Sequence, residues 1–311
     1  MSDCTIGIDI GGTNLRLALI TEEGGVVARR RLPSMIAEGR ESFCDRLLFG
    51  IEELRSEANS RAVNIAGIGV GIPGLVGSNG SIYASVNMRP LDGFNLTDFL
   101  TAKTALKVVS ANDANAIAVG EHLFGAGRGL SSFMVITIGT GLGSGLILDG
   151  KLWKGAGGFA AEFGHVTVNP EGALCPCGNR GCLERYVSAD ALLRSIEALL
   201  PAEVGRYRSF TAEELAAMAR TGDYAACEAF NQMGIWLGIA LASLSNLLNL
   251  EALIVGGGVG ASLDLFEPAL RSEIAKRCFS EILSGLKILK GELGDDAGLF
   301  GAAALVSKRP G

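Results

Sequence analysis

The sequence predicts an α/β fold made of two related halves, and three features support this prediction. Strands alternate with helices along the first half of the chain, as is typical of layered α/β domains. A hairpin with a turn rich in Gly and Thr lies near the start of each half. The chain has 311 residues, 48% hydrophobic and 19% charged, which is enough for two domains with large cores.

The individual elements follow from the spacing of apolar residues and from Gly and Pro positions. In the first half we expect strands at 5–10, 15–20, 26–32, 63–71 and 107–109, and helices at 42–57, 97–105 and 114–124. In the second half we expect strands at 134–138, 144–148, 252–255 and 286–289, and helices at 189–199, 212–220, 224–249 and 297–306, with further helix up to residue 276.

Composition and charge exclude several classes of protein. The net charge of −6 argues against a nucleic-acid-binding surface. The seven cysteines and an N-terminus without a signal-peptide pattern do not fit a secreted disulfide framework. The longest apolar stretch, 235–250, is interrupted by polar residues and predicts a buried helix. We therefore expect a cytoplasmic protein without a nucleic-acid or membrane partner.

The two Gly/Thr hairpins are candidates for phosphate binding. Residues 6–20 align without gaps on residues 134–148, so that Gly11 meets Gly139. Successive glycines leave backbone N–H groups accessible to a polyphosphate, and the hydroxyls of Thr13 and Thr140 add donors. Asp9 precedes the first turn, where a carboxylate can hold Mg²⁺ through water. Two ordinary hairpins remain the alternative.

Two further turns have both a functional and a structural interpretation. Gly257 lies in a run of three glycines after a strand, which fits either close contact with an adenosine or a tight turn into a helix. Asp113 lies between a strand and a helix. It is either the N-cap of that helix or a general base at the carboxyl end of a strand, where α/β proteins bind ligands.

The strongest single motif is a cluster of metal-ligating residues. His165, Cys175, Cys177 and Cys182 offer the four nitrogen and sulfur ligands of a closed tetrahedral zinc site. The alternatives are a disulfide between two of the cysteines or reactive free thiols. We expect neither in a reducing cytoplasm. Because no position is left open for water, the expected zinc is structural.

Two carboxylates flank the predicted zinc site. Glu162 precedes His165 by three residues, and Glu184 follows Cys182 by two. A metal ion that binds both ends of this segment would bring the carboxylates toward one place. The sequence therefore predicts a zinc-stabilised loop that presents polar groups to a ligand.

Together these residues resemble the ROK family of sugar kinases and repressors, and they are most similar to its bacterial glucokinases. The resemblance extends over nearly the whole chain, and the cysteine motif with Glu-Phe-Gly-His is highly specific. The matching motifs are Asp9-Ile10-Gly11-Gly12-Thr13, Gly71-Ile72-Pro73-Gly74, Asn112-Asp113-Ala114-Asn115, residues 137–145, Glu162-Phe163-Gly164-His165 and residues 175–184.

The resemblance implies two actin-like (ribonuclease H-like) α/β domains around a cleft. The smaller domain would comprise residues 1–115 and 297–311, and the larger domain residues 116–296, with the zinc loop. The implied activity is ATP-dependent phosphorylation of the 6-hydroxyl of a hexose, most similar to that of glucokinases. Family members are commonly homodimers or homotetramers, so the resemblance implies a homo-oligomer as well.

The resemblance also implies a role for each matching residue. Asp113 would be the catalytic base, and His165 would bind zinc with one ring nitrogen and the sugar with the other. The sugar would contact Gly74, Asn87, Asn112, Asp113, Glu162, His165 and Glu184. The phosphates, with Mg²⁺ near Asp9, would contact Gly11, Gly12, Thr13, Thr140 and Gly141, and Gly257 would contact the adenosine.

One departure from the family pattern leaves the identity of the sugar open. Family members often have an Asn-Leu-Pro-Gly-Trp-like stretch where this chain reads residues 85–94, although Asn87 keeps a polar side chain. An N-acetylglucosamine or N-acetylmannosamine kinase is therefore the main alternative. A repressor is not expected, because eight residues before Asp9 leave no room for a helix-turn-helix. A sugar-binding protein without activity is disfavoured by Asp113 and the two hairpins.

Overall fold

The computed structural model describes residues 3–85, 88–201 and 204–306, and it confirms the α/β fold class. The strands are β1 Asp3–Ile10, β2 Asn14–Thr21, β3 Val26–Pro33, β4 Asn64–Ile72, β5 Leu75–Val76, β6 Ile82–Ala84, β7 Val108–Asn112, β8 Phe133–Ile138, β9 Leu142–Leu148, β10 Lys151–Leu152, β11 Ala252–Gly256 and β12 Lys287–Lys290. The helices are α1 Arg40–Ser60, α2 Leu96–Thr104, α3 Asp113–Phe124, α4 Ala189–Leu199, α5 Val204–Tyr207, α6 Ala212–Arg220, α7 Tyr224–Leu248, α8 Leu263–Arg277, α9 Ser280–Gly285 and α10 Ala297–Ala304.

Every predicted strand and helix is present, with ends that differ by a few residues. The elements that the sequence did not predict are β5, β6, β10, α5 and α9, which are two to six residues long. Such short segments contain too few residues to show a periodic apolar pattern. Sequence periodicity therefore located the long elements and missed the short ones.

The two halves share one strand order, which supports the repeat read from the hairpins. The first sheet has the order β3-β2-β1-β4-β7 and the second the order β10-β9-β8-β11-β12. In the first sheet β1 is antiparallel to β2 and parallel to β4. In the second sheet β8 is parallel to β11, which is parallel to β12. Each Gly/Thr turn thus follows the central strand of a five-stranded sheet.

The chain forms two compact units, and their boundaries differ from the predicted domains. Unit 1 contains Met1–Ser131, Gly145–Ala161 and Glu292–Gly311, and unit 2 contains Ser132–Ser144 and Glu162–Gly291. The predicted boundary after residue 115 falls near the start of α3. That helix is continuous and packs along α10, where a Cβ on Gly120 would lie 3.0 Å from the Ala297 carbonyl oxygen.

Unit 1 depends on very close packing of α10 against its sheet. A Cβ on Gly7 of β1 would lie 2.2 Å from the Leu299 carbonyl oxygen. A Cβ on Gly69 of β4 would lie 1.7 Å from the Ala302 carbonyl oxygen. These glycines remove side chains so that a helix rich in Ala and Gly can lie directly on the sheet.

In unit 2, α7 is the long helix predicted around the apolar stretch. It packs against α8, and a Cβ on Gly234 would lie 2.3 Å from the Phe266 carbonyl oxygen. Ser245 lies fully buried within this helix. Across the described parts of the chain, no helix is both long and apolar enough to cross a membrane.

Candidate functional site

The first Gly/Thr turn connects β1 and β2 in unit 1. Gly12 and Thr13 are exposed, and the backbone N–H of Gly11 donates to the carbonyl oxygen of Asn14 at 2.9 Å. Ser34, which is buried, binds both exposed residues: its N–H donates to the Thr13 carbonyl at 2.9 Å and its hydroxyl to the Gly12 carbonyl at 2.7 Å. Ser34 thus holds the acceptor groups of the turn toward the protein. The sequence motif gave no indication of this residue.

Asp9 lies beside this turn, near the end of β1. It is 9% exposed, and it forms an ion pair with Arg16, which stands directly opposite on β2. A Cβ on Gly298, in the first turn of α10, would lie 2.7 Å from the carboxyl carbon of Asp9. Burial raises the pKa of the Asp9 carboxyl, and the positive charge of Arg16 opposes that rise.

The second Gly/Thr turn connects β8 and β9, and its neighbours come from unit 2. The N–H of Gly139 donates to the Gly141 carbonyl at 2.9 Å, and Thr140 is exposed. Glu184 accepts a hydrogen bond from the N–H of Leu142 at 2.9 Å through Oε2. A Cβ on Gly141 would lie 2.4 Å from the same oxygen. Glu184, which the sequence predicts to bind the sugar, is therefore hydrogen-bonded to the backbone directly after a turn that is predicted to bind phosphate.

Gly257 lies next to the end of β8 in unit 2. Its φ is +84°, and a Cβ there would lie 2.5 Å from the Ile138 carbonyl oxygen. The structure gives the tight-turn interpretation a physical reason, because only glycine fits this conformation without strain. The same turn leaves Gly257 and Gly258 exposed beside the Gly139 turn, so a nucleotide contact here stays a prediction.

Glu162 and His165 are held by a short 3-10 helix, Phe163–His165, in unit 2. The N–H of Phe163 donates to the hydroxyl of Ser144 at 3.1 Å, and a Cβ on Gly164 would lie 2.4 Å from the Leu142 carbonyl oxygen. Burial raises the pKa of Glu162, and the negative charge of Glu184 adds to that rise. The two predicted sugar-binding carboxylates are therefore close enough to interact electrostatically.

The four predicted zinc ligands come together in one cluster. The ligand atoms of His165, Cys175, Cys177 and Cys182 all lie within 4.8 Å of one another. Sγ of Cys175 is 3.8 Å from Nδ1 of His165, and the Sγ atoms of Cys177 and Cys182 are 3.6 Å apart. These separations fit ligands about 2.0–2.3 Å from a tetrahedral zinc ion. The histidine and the three cysteines therefore suit a zinc ion. Nδ1 is the nitrogen of the His165 ring that faces the cysteine sulfur atoms.

The loop that carries the cysteines is shaped by local backbone bonds. The N–H of Cys175 donates to the Asn179 carbonyl at 2.8 Å, and the N–H of Gly178 donates to the Cys175 carbonyl at 3.0 Å. Gly181 has a φ of +70°, and a Cβ there would lie 1.6 Å from the Asn169 carbonyl oxygen. The loop is therefore folded tightly enough to present three sulfur atoms to one point.

Asn112 and Asp113 lie in unit 1, where β7 ends and α3 begins. Asn112 is the N-cap of α3: its Oδ1 accepts from the N–H of Asn115 at 3.1 Å, and its Nδ2 donates to the Gly74 carbonyl at 3.1 Å. Asp113 is the first helical residue, and its Oδ1 accepts from the N–H of Ala114 at 2.9 Å. The capping role that the sequence offered to Asp113 thus belongs to Asn112.

Gly74 positions the loop that Asn112 binds. Its φ is +108°, and a Cβ there would lie 2.3 Å from the Ala84 carbonyl oxygen, so glycine is required. A cavity of about 230 Å³ runs within unit 1 along the outer edge of β7 beside Asn112, lined in part by Ser78, Asn79, Thr97, Ser110 and Asn115. Asn87, the remaining predicted sugar-binding residue, lies outside the described residues.

Comparisons with known proteins agree with these motifs. Residues 5–309 match the ROK family. The chain is 32% identical to a glucokinase of Halalkalibacterium halodurans over 98% of this chain and 95% of that protein. It is 34% identical to a xylose repressor of Caldicellulosiruptor bescii over 97% of this chain and 77% of that protein.

A solved structure shows the same similarity in three dimensions. A ROK family glucokinase from Streptomyces griseus, crystallised with glucose and AMPPNP, superposes with a TM-score of 0.81 at 33% identity. The superposition covers 97% of this chain and 98% of that one. Sequence motifs, strand order and structural similarity extend over nearly the whole length, and the chain belongs to the ROK family.

Proposed function

We propose that this protein is an ATP-dependent glucokinase, which transfers the γ-phosphoryl group of ATP to the 6-hydroxyl of glucose. The observation that carries the proposal is its full-length similarity to glucokinases, one of which was crystallised with glucose and AMPPNP. The repressor relative shares a similar degree of identity, so identity alone does not separate the two activities. Retention of Asp113 and of both Gly/Thr turns favours the enzyme.

Asp113 is proposed as the general base. Its position directly after β7 places it at the carboxyl end of a strand, and Asn112 relieves it of the capping role. In the reaction its carboxylate takes the proton of the 6-hydroxyl while the hydroxyl oxygen bonds to the γ-phosphorus. The bond between that phosphorus and the β–γ bridging oxygen breaks, and ADP leaves.

The sugar is proposed to contact the polar groups that the family resemblance implies. These are Asn112, Asp113, the Gly74 loop and Asn87, together with Glu162, Glu184 and the Nε2 atom of His165, because Nδ1 faces the zinc ligands. Zinc, held by His165 and the three cysteines, would supply rigidity to this loop and would take no part in the phosphoryl transfer.

The nucleotide is proposed to contact the two Gly/Thr turns and the Gly257 turn. Gly11, Gly12 and Thr13 would donate to phosphate oxygens from one turn, and Thr140 and Gly141 from the other. Mg²⁺ would be held near Asp9, the carboxylate closest in sequence to the first turn, and would neutralise phosphate charge.

An ADP-release assay with a panel of sugars tests the proposal. We expect kcat/KM for glucose to exceed the values for mannose, fructose, N-acetylglucosamine and N-acetylmannosamine. A higher value for an N-acetyl sugar would instead identify an N-acetylhexosamine kinase. Absence of turnover with every sugar, combined with calorimetric binding of glucose, would favour a sugar-binding protein or regulator and contradict the kinase assignment.

A homodimer or homotetramer is part of the proposal. Unit 2 exposes large apolar side chains, among them Leu247 at 79% and Phe279 at 71% exposure, near the ends of α7 and α8. A contiguous patch of exposed apolar side chains is typical of a protein–protein interface. Sedimentation equilibrium of the wild-type protein and of Leu247→Glu measures the state directly. A monomeric wild-type protein at micromolar concentration would contradict this part.

A further inference from the structure

Tyr186 connects two parts of unit 2 that the proposed function leaves unrelated. It follows the 3-10 helix Leu183–Arg185, which carries Glu184, and it is partly buried. Its ring packs on the indole ring of Trp236 in α7, with centroids 4.5 Å apart and planes inclined at 33°. Its hydroxyl oxygen accepts the N–H of Ala173 at 3.1 Å, in the loop that carries the cysteines. Tyr186 therefore joins this loop to the core helix α7.

Ala173 in turn holds the two ends of that loop together. Its carbonyl oxygen accepts the N–H of Gly181 at 2.8 Å. Along the chain, Ala173 stands two residues before Cys175, and Gly181 stands directly before Cys182. Residues 173–182 thus form a closed cysteine loop, and the bond to the phenol is made at its base.

The approach of the loop to this phenol requires glycine at residue 172. A Cβ on Gly172 would lie 1.8 Å from the Tyr186 hydroxyl oxygen. Gly172 is not among the glycines with positive φ, so a larger residue is excluded by the space that the phenol occupies. Arg180 closes the same corner, since its Nη1 donates to the Gly172 carbonyl oxygen at 2.8 Å. The phenol and the loop backbone therefore fit closely together.

The two ends of the cysteine loop are attached to different neighbours. At the end with the last cysteine, the N–H of Val168 donates to the Gly181 carbonyl oxygen at 2.9 Å, which joins this end to the chain after the histidine. At the end with the first two cysteines, Ala173 is bonded to Tyr186 and through it to α7. We therefore expect the hydroxyl to affect the position of the first two cysteines most.

We propose that Tyr186 is a positioning residue for the zinc site. Its hydroxyl holds the cysteine loop against α7, and packing on Trp236 fixes the ring that carries the hydroxyl. Groups that orient metal ligands without touching the metal commonly change metal affinity by about 10–100-fold. The inference rests on the proposed zinc site, and it assigns Tyr186 no contact with zinc or with the sugar.

The first measurement is the rate at which the zinc-loaded protein releases zinc to a coloured chelator, pyridylazoresorcinol. We expect Tyr186→Phe, which keeps the ring and loses the hydroxyl, to release zinc about tenfold faster than the wild type. Gly172→Ala, which forces the phenol away from the loop, should do the same. Tyr207→Phe is the matched control, because its hydroxyl bonds to the Asp223 carboxylate at 3.2 Å, at the start of α7 and outside the cysteine loop.

Thermal unfolding in excess zinc separates positioning of the loop from a general loss of stability. Tyr186→Phe and Tyr207→Phe each remove one hydrogen-bonded hydroxyl from unit 2. We expect Tm to fall by no more in Tyr186→Phe than in Tyr207→Phe, although zinc release is faster in Tyr186→Phe alone. Zinc release that follows the loss of Tm in both variants would overturn the proposal.

The fluorescence of Trp236 measures the same connection spectroscopically. The chain has two tryptophans, and Trp153→Phe leaves Trp236 as the sole one. In this background we expect zinc removal to change the Trp236 emission, because the loop moves the Tyr186 ring that packs on the indole. Addition of Tyr186→Phe should largely abolish this response, since the remaining ring is no longer bonded to the loop.

The results distinguish this inference from the proposed kinase function. Wild-type release rates in both Tyr186→Phe and Gly172→Ala, or a Trp236 response that Tyr186→Phe leaves intact, would overturn the inference. A wild-type protein that binds no zinc would overturn it too, and glucose turnover would then show separately whether the kinase proposal stands. The expected variant effects without turnover of any sugar would support the role of Tyr186 and refute the kinase proposal.

Discussion

The two Gly/Thr hairpins occupy equivalent places in the two sheets, yet they are stabilised by different residues. In the aligned positions, Asp9 and Arg16 of the first hairpin are replaced by Thr137 and Ser144 in the second. The first hairpin therefore carries an ion pair, and the second carries two hydroxyl side chains. The same backbone arrangement thus supports a charged turn in unit 1 and an uncharged one in unit 2.

The neighbours of the two turns differ in the same way. Ser34, which follows β3 in unit 1, binds the carbonyls of the first turn. Glu184, which follows the cysteine loop in unit 2, binds the backbone after the second turn. Ser144 also accepts a hydrogen bond from Phe163, beside Glu162. The second turn is thereby connected to the proposed sugar site, whereas the first is connected to its own sheet.

The largest effect is expected at Asp113. This residue belongs to neither hairpin, so its substitution tests whether proton transfer can be lost while both hairpins stay intact. Asp113→Asn removes the proposed base and should lower kcat by at least about 100-fold. Glucose affinity measured by calorimetry should stay within a few-fold, because an amide keeps the shape of the side chain. Asn112→Asp is a useful companion, since it can still cap α3. A kcat for Asp113→Asn close to the wild-type value would exclude Asp113 as the base.

Zinc removal should affect unit 2 selectively and so sharpen the contrast between the units. Metal analysis is expected to find about one zinc per chain. Cys177→Ser together with a chelator should weaken glucose binding at least about tenfold, because loss of support for a metal site typically costs 10–100-fold. Cys227→Ser is the matched control, as that cysteine lies outside the cluster. A metal-free preparation with full activity would contradict the structural role.

The hydrogen bond from the N–H of Leu142 to Glu184 predicts that one residue affects the binding of both glucose and ATP. Glu184→Gln should raise KM for glucose and for ATP together, each by about tenfold, since a charge-assisted hydrogen bond contributes about 1.5–3 kcal/mol. Ser34→Ala removes the corresponding support of the first turn and should raise KM for ATP alone. Steady-state kinetics with each substrate varied separately makes this comparison. Equal effects of the two substitutions on both KM values would remove the distinction between the hairpins.

A smaller effect is expected from glycine substitutions within the second turn. Gly141→Ala places a Cβ 2.4 Å from Glu184 Oε2 and should displace the carboxylate, lowering kcat/KM by several-fold. Gly139→Ala is the matched control, because a Cβ at residue 139 would have no neighbour within 4 Å among the described residues. Thermal unfolding of both variants reports any loss of stability. If both alanines lower kcat/KM equally, the Glu184 contact is not the cause.

The sequence predicted features that depend on local patterns and missed those that depend on tertiary position. Periodicity located the long helices and strands, and spacing alone brought His165 and the three cysteines together as a candidate metal site. Ser34 and Arg16 escaped notice because a serine after a strand and an arginine within one have no local signature. The cap of α3 was offered to Asp113 because Asn and Asp are both good N-caps, and only the backbone geometry distinguishes them.

The unit boundaries could not be predicted for a related reason. The repeat marks where each half begins, but the return of residues 145–161 and 292–306 to unit 1 is a property of packing. The small residues of α10 are visible in the sequence. Their fit against Gly7 and Gly69 becomes apparent only when the sheet and the helix are seen together.

The contact between α10 and the first sheet has a consequence for how the protein is made. Helix α10 leaves the ribosome nearly 300 residues after β1 (Ala297 against Asp3). During synthesis the β1 and β4 surfaces that α10 covers must therefore remain uncovered until all of unit 2 has been translated. Contacts between such distant parts of a chain slow folding and leave apolar surface exposed in the meantime. Unit 1 is thus expected to begin folding first and to finish last.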